Sequence, residues 1–140
     1  MTNVTYLSAP SQAGLQPAGV ALLNCAARMY FDPTPVRRIY DRLPLHEAEE
    51  LICRFLEDIA LRLDQLQRGM ASHDLAQMVR PARRVALAAG QMGLLEVAES
   101  AKHVRNCLGL NDGVALEAVM ARLERAFDVA VNEVWNLREM

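Results

Sequence analysis

From Leu45 onward, apolar residues return every three or four positions through four successive stretches, and each stretch ends in turn-forming residues. The first runs from about Leu45 to Arg68, with Ile52, Leu56 (beside Phe55), Ile59, Leu63 and Leu66 on one side. Gly69 is placed to close it and Ser72 to cap the next helix. The second stretch repeats Leu75, Met78, Ala82, Val85, Ala89 and Met92, with Gly90 and Gly93 at its end. Pro81 falls inside it, so the sequence predicts a lost hydrogen bond and a bend just before Arg83. Leu94, Ala98, Ala101, Val104 and Leu108 mark the third, which Gly109 and the Asn111-Asp112-Gly113 turn should stop. The last, from Val114 to about Leu137, has the most regular stripe: Leu116, Val119, Leu123, Phe127, Ala130, Val134 and Leu137. No segment alternates as a strand. The expectation is an all-α antiparallel up-down four-helix bundle over residues 45–140.

Ahead of the bundle the pattern is looser. Residues 1–17 are small and polar, with Pro10, Gly14 and Pro17, and read as a flexible N-terminal tail. Residues 18–44 read as an N-terminal helical extension: an apolar helix over Ala18 to Phe31, a break at Asp32-Pro33-Thr34-Pro35, and a short helix from Val36 to Leu43 that Pro35 starts. A chain of 140 residues suits one such domain.

Composition narrows the function classes. Hydrophobic residues make up 52% and aromatics only 5%, so the core should be aliphatic. The net charge of -2 argues against a nucleic-acid binder. No apolar run reaches the roughly 20 residues of a membrane span, and no charge precedes Arg28 to form the basic start of a secretory signal. Cys25, Cys53 and Cys107 form no metal-ligand pattern and read as buried free thiols, which fits a reducing, cytoplasmic setting. Neither a metal nor a cofactor is expected, because the His and Cys residues are scattered along the chain.

The second stretch is unusual on its other side. Arg80, Arg83, Arg84 and Leu87 share the face turned away from the apolar stripe, a combination that reads as a docking surface. The bland alternative is a solvated helix face, with Leu87 covered by the Ala18–Phe31 helix.

The same stretch carries a family resemblance. Glu50 to Asp58 (ELICRFLED), Leu63, Leu66, Asp74-Leu75 and Ala82 to Gly93 resemble the histidine-containing phosphotransfer (HPt) domain, whose signature is "AHxLKGxxxxxG". Ala82 takes the alanine, Val85 the leucine and Gly93 the closing glycine, with Met92 before it in place of the usual leucine. Arg83 stands where the phosphoacceptor histidine would be, and Ala86 and Leu87 replace the lysine and glycine beside it. The resemblance thus implies a degenerate member. A guanidinium is permanently charged and offers no lone pair for attack on a phosphoaspartate, so Arg83 cannot accept the phosphoryl group. Ala86 removes the cation that would offset phosphoryl charge, and Leu87 obstructs close approach of a partner.

The function this implies is non-catalytic: binding to a receiver domain or a histidine kinase through Arg80, Arg83, Arg84, Ala86, Leu87 and Gly90, without phosphate transfer. A helical scaffold or homodimer outside the relay is the rival from another class. The remaining alternative is relay through a different histidine, His73 or His103. His73 precedes Arg83 by about ten residues, roughly 15 Å along a helix, which places it at the bundle end. His46 opens a helix, and His103 lies beside the Ala101/Val104 side of its own. None is expected to have the mid-helix setting the family uses.

Other chemistry finds no foothold. Glu57 and Asp58 are adjacent and point apart on a helix, and Ser72-His73-Asp74 cannot converge into a nucleophile–base pair. Gly90-Gln91-Met92-Gly93 lacks the lysine and preceding strand of a phosphate loop. The chain does not read as an enzyme.

Overall fold

A computed structural model describes residues 31–139. It contains α1 (Thr34–Arg42), α2 (Leu45–Ala71), α3 (Val79–Gln91), α4 (Leu95–Leu110) and α5 (Gly113–Asn136). Two short 3₁₀ turns, Leu75–Met78 and Leu137–Glu139, precede α3 and follow α5. No strand occurs among the described residues, only an isolated antiparallel bridge between Phe31 and Leu94. The expected tail over 1–17 and the apolar helix ahead of Phe31 lie outside the described residues.

Each helix buries the stripe its sequence marks. Ile52, Ile59 and Leu66 of α2, Ala82, Val85 and Ala89 of α3, Ala101 and Val104 of α4, and Leu123 and Val134 of α5 are fully buried. Burial of one such Val, Leu or Ile side chain contributes about 1.5–3 kcal/mol. α2 packs on α3, α3 on α4, and α4 on α5. Polar links also tie α2 to the C-terminal segment: Gln67 Nε2 donates to Glu124 Oε2 at 2.8 Å, and Arg138 pairs with Glu49. Between α4 and α5, the fully buried Ser100 accepts from Arg122 Nε at 3.2 Å, and the same guanidinium nitrogen lies 3.3 Å from Glu96. The hydroxyl in turn faces Glu96 Oε1 at 3.4 Å, so the buried Ser100 side chain is satisfied. No described helix is long and apolar enough to cross a membrane.

Three local expectations need correction. Gly69 does not end α2; the helix continues to Ala71, and Gly69 is buried inside it. A Cβ there would stand 2.5 Å from Met78 Cγ, so the glycine makes room for the turn that leads into α3. Ser72 closes α2 rather than opening the next element: its Oγ donates to the Arg68 carbonyl at 2.9 Å. The cap of the following turn is Asp74, which accepts from Gln77 N. Pro81 does not interrupt a helix, because the segment before Val79 is 3₁₀ and Pro81 falls in the first turn of α3. Its missing N–H is one that a first turn leaves unbonded in any case.

The unit that holds α2–α5 begins at Phe31, and α1, assigned by sequence to an extension, contributes fully buried Val36 to the same core. Asp32 N donates to Gly93 O at 2.8 Å, which ties the residues before α1 to the α3–α4 turn. Gly93 has φ +81°, and a Cβ on it would lie 2.0 Å from the Asp32 carbonyl oxygen. The α4–α5 turn follows its sequence closely: Asn111 takes the left-handed position at φ 56°, and Asp112 Oδ1 accepts from Ala115 N at 3.1 Å.

Gly93→Ala should cost at least about 2 kcal/mol, since it adds both a strained φ and a backbone collision. Gly69→Ala should cost about 1–3 kcal/mol through forced movement of Met78. Urea unfolding of the two variants measures both. At the start of α1, the Thr34 backbone N–H and then its hydroxyl hold the Asp32 carboxyl below its ordinary value. A depressed folded-state pKa means that the contribution is complete above the unfolded value and disappears as pH falls through the folded one. The Asp32 carboxyl ¹³C resonance should therefore titrate below the ordinary aspartate value.

Candidate functional site

The candidate site is the outer face of α3. Its inner face, Ala82, Val85 and Ala89 together with Met78 and Met92, is buried to 1% exposure or less. At 100° per residue, fixing that stripe inward fixes the opposite one outward. Arg80, Arg83, Arg84, Leu87 and Gly90 are accordingly exposed, Leu87 at 61%. Ala86 is not part of this surface. It follows Ala82 by one turn, precedes Ala89 by three residues, and is buried at 8% exposure. The family signature placed Ala86 beside the acceptor position, and helical period places it under the surface.

The electrostatics of this face are one-sided. Between Leu75 and Leu95 the chain has three arginines and no carboxylate. Ion pairs among the described residues engage Arg62, Arg68, Arg122, Arg138, His46 and His103, and none of the α3 arginines. The three also occupy the first half of α3, where the helix dipole is positive and a cation is unfavourable. Their placement therefore does not serve the helix. It concentrates positive potential on one face of a chain whose net charge is -2.

The histidines divide by setting. His46 is exposed in the first turn of α2, with Nε2 3.3 Å from Glu50. His73 lies in the turn after α2, in the left-handed conformation at φ 55°. His103 departs from expectation, since it stands midway along α4, 39% exposed, with Glu99 at 3.5 Å. Ser72 and Asp74 are committed to helix-end hydrogen bonds, and Asp58 pairs with Arg62 at 3.4 Å, so neither acidic or hydroxyl neighbourhood forms an acid–base pair. Cys53 and Cys107 are free and half-buried rather than fully buried, and Cys25 lies outside the described residues. Among the described residues no group of three potential ligands converges on a metal position.

One feature escapes sequence reasoning. Glu49, Cys53, Trp135 and Arg138 line a shallow cleft of about 380 Å³. Next to it, the Tyr40 hydroxyl is buried without a partner among the described residues, and burial, followed by the Glu49 charge, pushes its pKa up. The contributors come from α1, α2, the end of α5 and the C-terminal turn, up to nearly 100 positions apart (Tyr40 to Arg138), and no local pattern joins them. Arg138 is already neutralised by Glu49, which leaves the cleft without a free charge to orient a ligand.

The α3 surface and its underside should respond differently to truncation. Arg83→Ala should change stability by no more than about 0.5 kcal/mol, whereas Met92→Ala should cost about 2–5 kcal/mol. Thermal and urea unfolding followed by circular dichroism distinguish the two. Comparison with protein-family models, curated proteins and solved structures gives no match to this chain.

Proposed function

We propose that α2–α5 form an HPt-like antiparallel four-helix bundle that docks on a receiver domain or a histidine kinase without accepting phosphate. The observation that carries this reading is the exposed trio Arg80, Arg83 and Arg84 on a mid-bundle helix, in no ion pair among the described residues and with no carboxylate between Leu75 and Leu95. The packing order along the chain supports the bundle, as do the Gln67–Glu124 and Glu49–Arg138 links, which run antiparallel between α2 and the C-terminal segment.

A receiver pocket lined with carboxylates is the complement of such a face. Guanidinium–carboxylate pairs form there as charge-assisted, often bidentate hydrogen bonds. Phosphoryl transfer needs a neutral imidazole nitrogen at the position Arg83 holds, and arginine supplies none. The protein then acts as a competitor or adaptor, occupying the partner's acidic pocket with a fixed cation. Self-association through the same face is the weaker reading. An isologous contact doubles the three guanidiniums with no carboxylate from the 75–95 stretch to offset them.

A second reading, relay through His103, draws on its mid-helix position in α4. Glu99 at 3.5 Å opposes it, because a carboxylate beside the ring repels an incoming phosphoryl group.

Titration of the isotopically labelled chain with isolated receiver domains should shift amides of Arg80–Leu87, with affinity that falls as salt rises. Arg83→Ala should weaken the complex by roughly tenfold or more, the loss of one charge-assisted contact. Incubation with a phosphorylated receiver should leave no acid-labile label on the chain. Label that vanishes in His103→Gln would establish the second reading instead, and an unmoved α3 face with every receiver would end the first.

A further inference from the structure

The outer face of α3 is graded along its length. Its first half presents the guanidiniums of Arg80, Arg83 and Arg84, and its second half presents Leu87, then Gly90 and the uncharged, exposed Gln91, at spacings of three and four residues. Gly90 lies inside the helix, and a Cβ built on it meets no atom within 4 Å. Nothing among the described residues therefore requires a glycine there: no positive φ is involved, and no neighbour crowds the position. A helical glycine is less stable than alanine, so the chain forgoes helix stability at a point where it could have it without collision. Beside Leu87, the missing Cβ at Gly90 leaves one point on this face where a second main chain can approach the α3 axis closely.

Resting on the receiver-docking reading, we infer that Gly90 is a specificity-determining position of that interface: the partner lays its carboxylates over Arg80–Arg84 and packs an apolar flank against Leu87, with close approach over Gly90. The charged half brings the partner in and sets salt dependence. The uncharged half holds it by contact and sets the rate of release. A fixed order of charged then uncharged surface along one helix admits the partner in one orientation.

Gly109 supplies the control. It occupies the same next-to-last position in α4 that Gly90 has in α3, and a Cβ on it also meets nothing within 4 Å. Gly90→Ala and Gly109→Ala should both leave the melting temperature equal or higher than that of the unaltered chain. Against a receiver domain that moves the α3 resonances, Gly90→Ala should weaken binding about tenfold through faster release, with unchanged salt dependence, while Gly109→Ala binds as the unaltered chain does. Equal binding by the two variants overturns the close approach and leaves receiver docking standing. A lower melting temperature for Gly90→Ala also overturns it, because the glycine then serves the fold. If no receiver binds the unaltered chain, the docking reading falls and this inference falls with it.

Discussion

The constraint on which the structure turns is the burial of a narrow, small-residue stripe along α3. Ala82, Val85 and Ala89 are fully enclosed between α2 and α4, and Met78 and Met92 close the stripe at either end. Small side chains at these positions bring the neighbouring helices near the α3 backbone, and the longer aliphatic groups of α2 and α5 fill the space between. Once that stripe is inward, no freedom remains about which residues face out. The three arginines, Leu87 and Gly90 are surface residues because the alanines and valine are core residues. Ala86 shows the same rule from the other side, as a residue grouped with the surface by resemblance and drawn under it by period.

Glycine illustrates how far context decides meaning. Gly69, Gly90 and Gly93 lie within 25 residues of one another and fill three different roles. Gly69 yields space to a methionine, Gly93 accepts a left-handed φ and the touch of the Asp32 carbonyl, and Gly90 has neither duty inside the described chain. The first two explain how the turns on either side of α3 are made. Together they hold that helix at both ends, and so hold its outer face at a fixed attitude to the rest of the unit.

The charge distribution has the opposite logic to that of a self-stabilising helix. Elsewhere among the described residues four arginines sit beside carboxylates, Arg62 with Asp58, Arg68 with Asp64, Arg122 with Glu96 and Arg138 with Glu49, while other cations such as Arg54 and Arg105 stand outside any ion pair but on helices that carry carboxylates. On α3 the cations have no such partners among the described residues, no carboxylate shares their helix, and they stand near its positive end. Exposed ion pairs contribute little to stability, so forgoing them is tolerable. What the arrangement provides is a concentration of positive charge on one face, to which an acidic surface is the complement. That links a stability-neutral feature of the sequence to a proposed role in binding.

Periodicity by itself determined the helical class, the four long helices, their buried stripes and the cationic face of α3, because a 3.6-residue repeat is a local property and the solvent boundary follows from it. The Asn111-Asp112 turn was equally legible, since the residues that cap it are adjacent. What only tertiary structure decided are the features made by contacts distant in sequence. Gly69 is silent until Met78 packs on it, and Gly93 until Asp32 arrives. Val36 joins the core only because α1 folds back onto α2, and Pro81 is harmless only because the residues before it tighten into a 3₁₀ turn. The Glu49–Cys53–Trp135–Arg138 cleft likewise exists only once the C-terminal turn meets α2. In each case the governing interaction closes a long loop of chain or a change of helical type, and neither leaves a mark on the local order of residues.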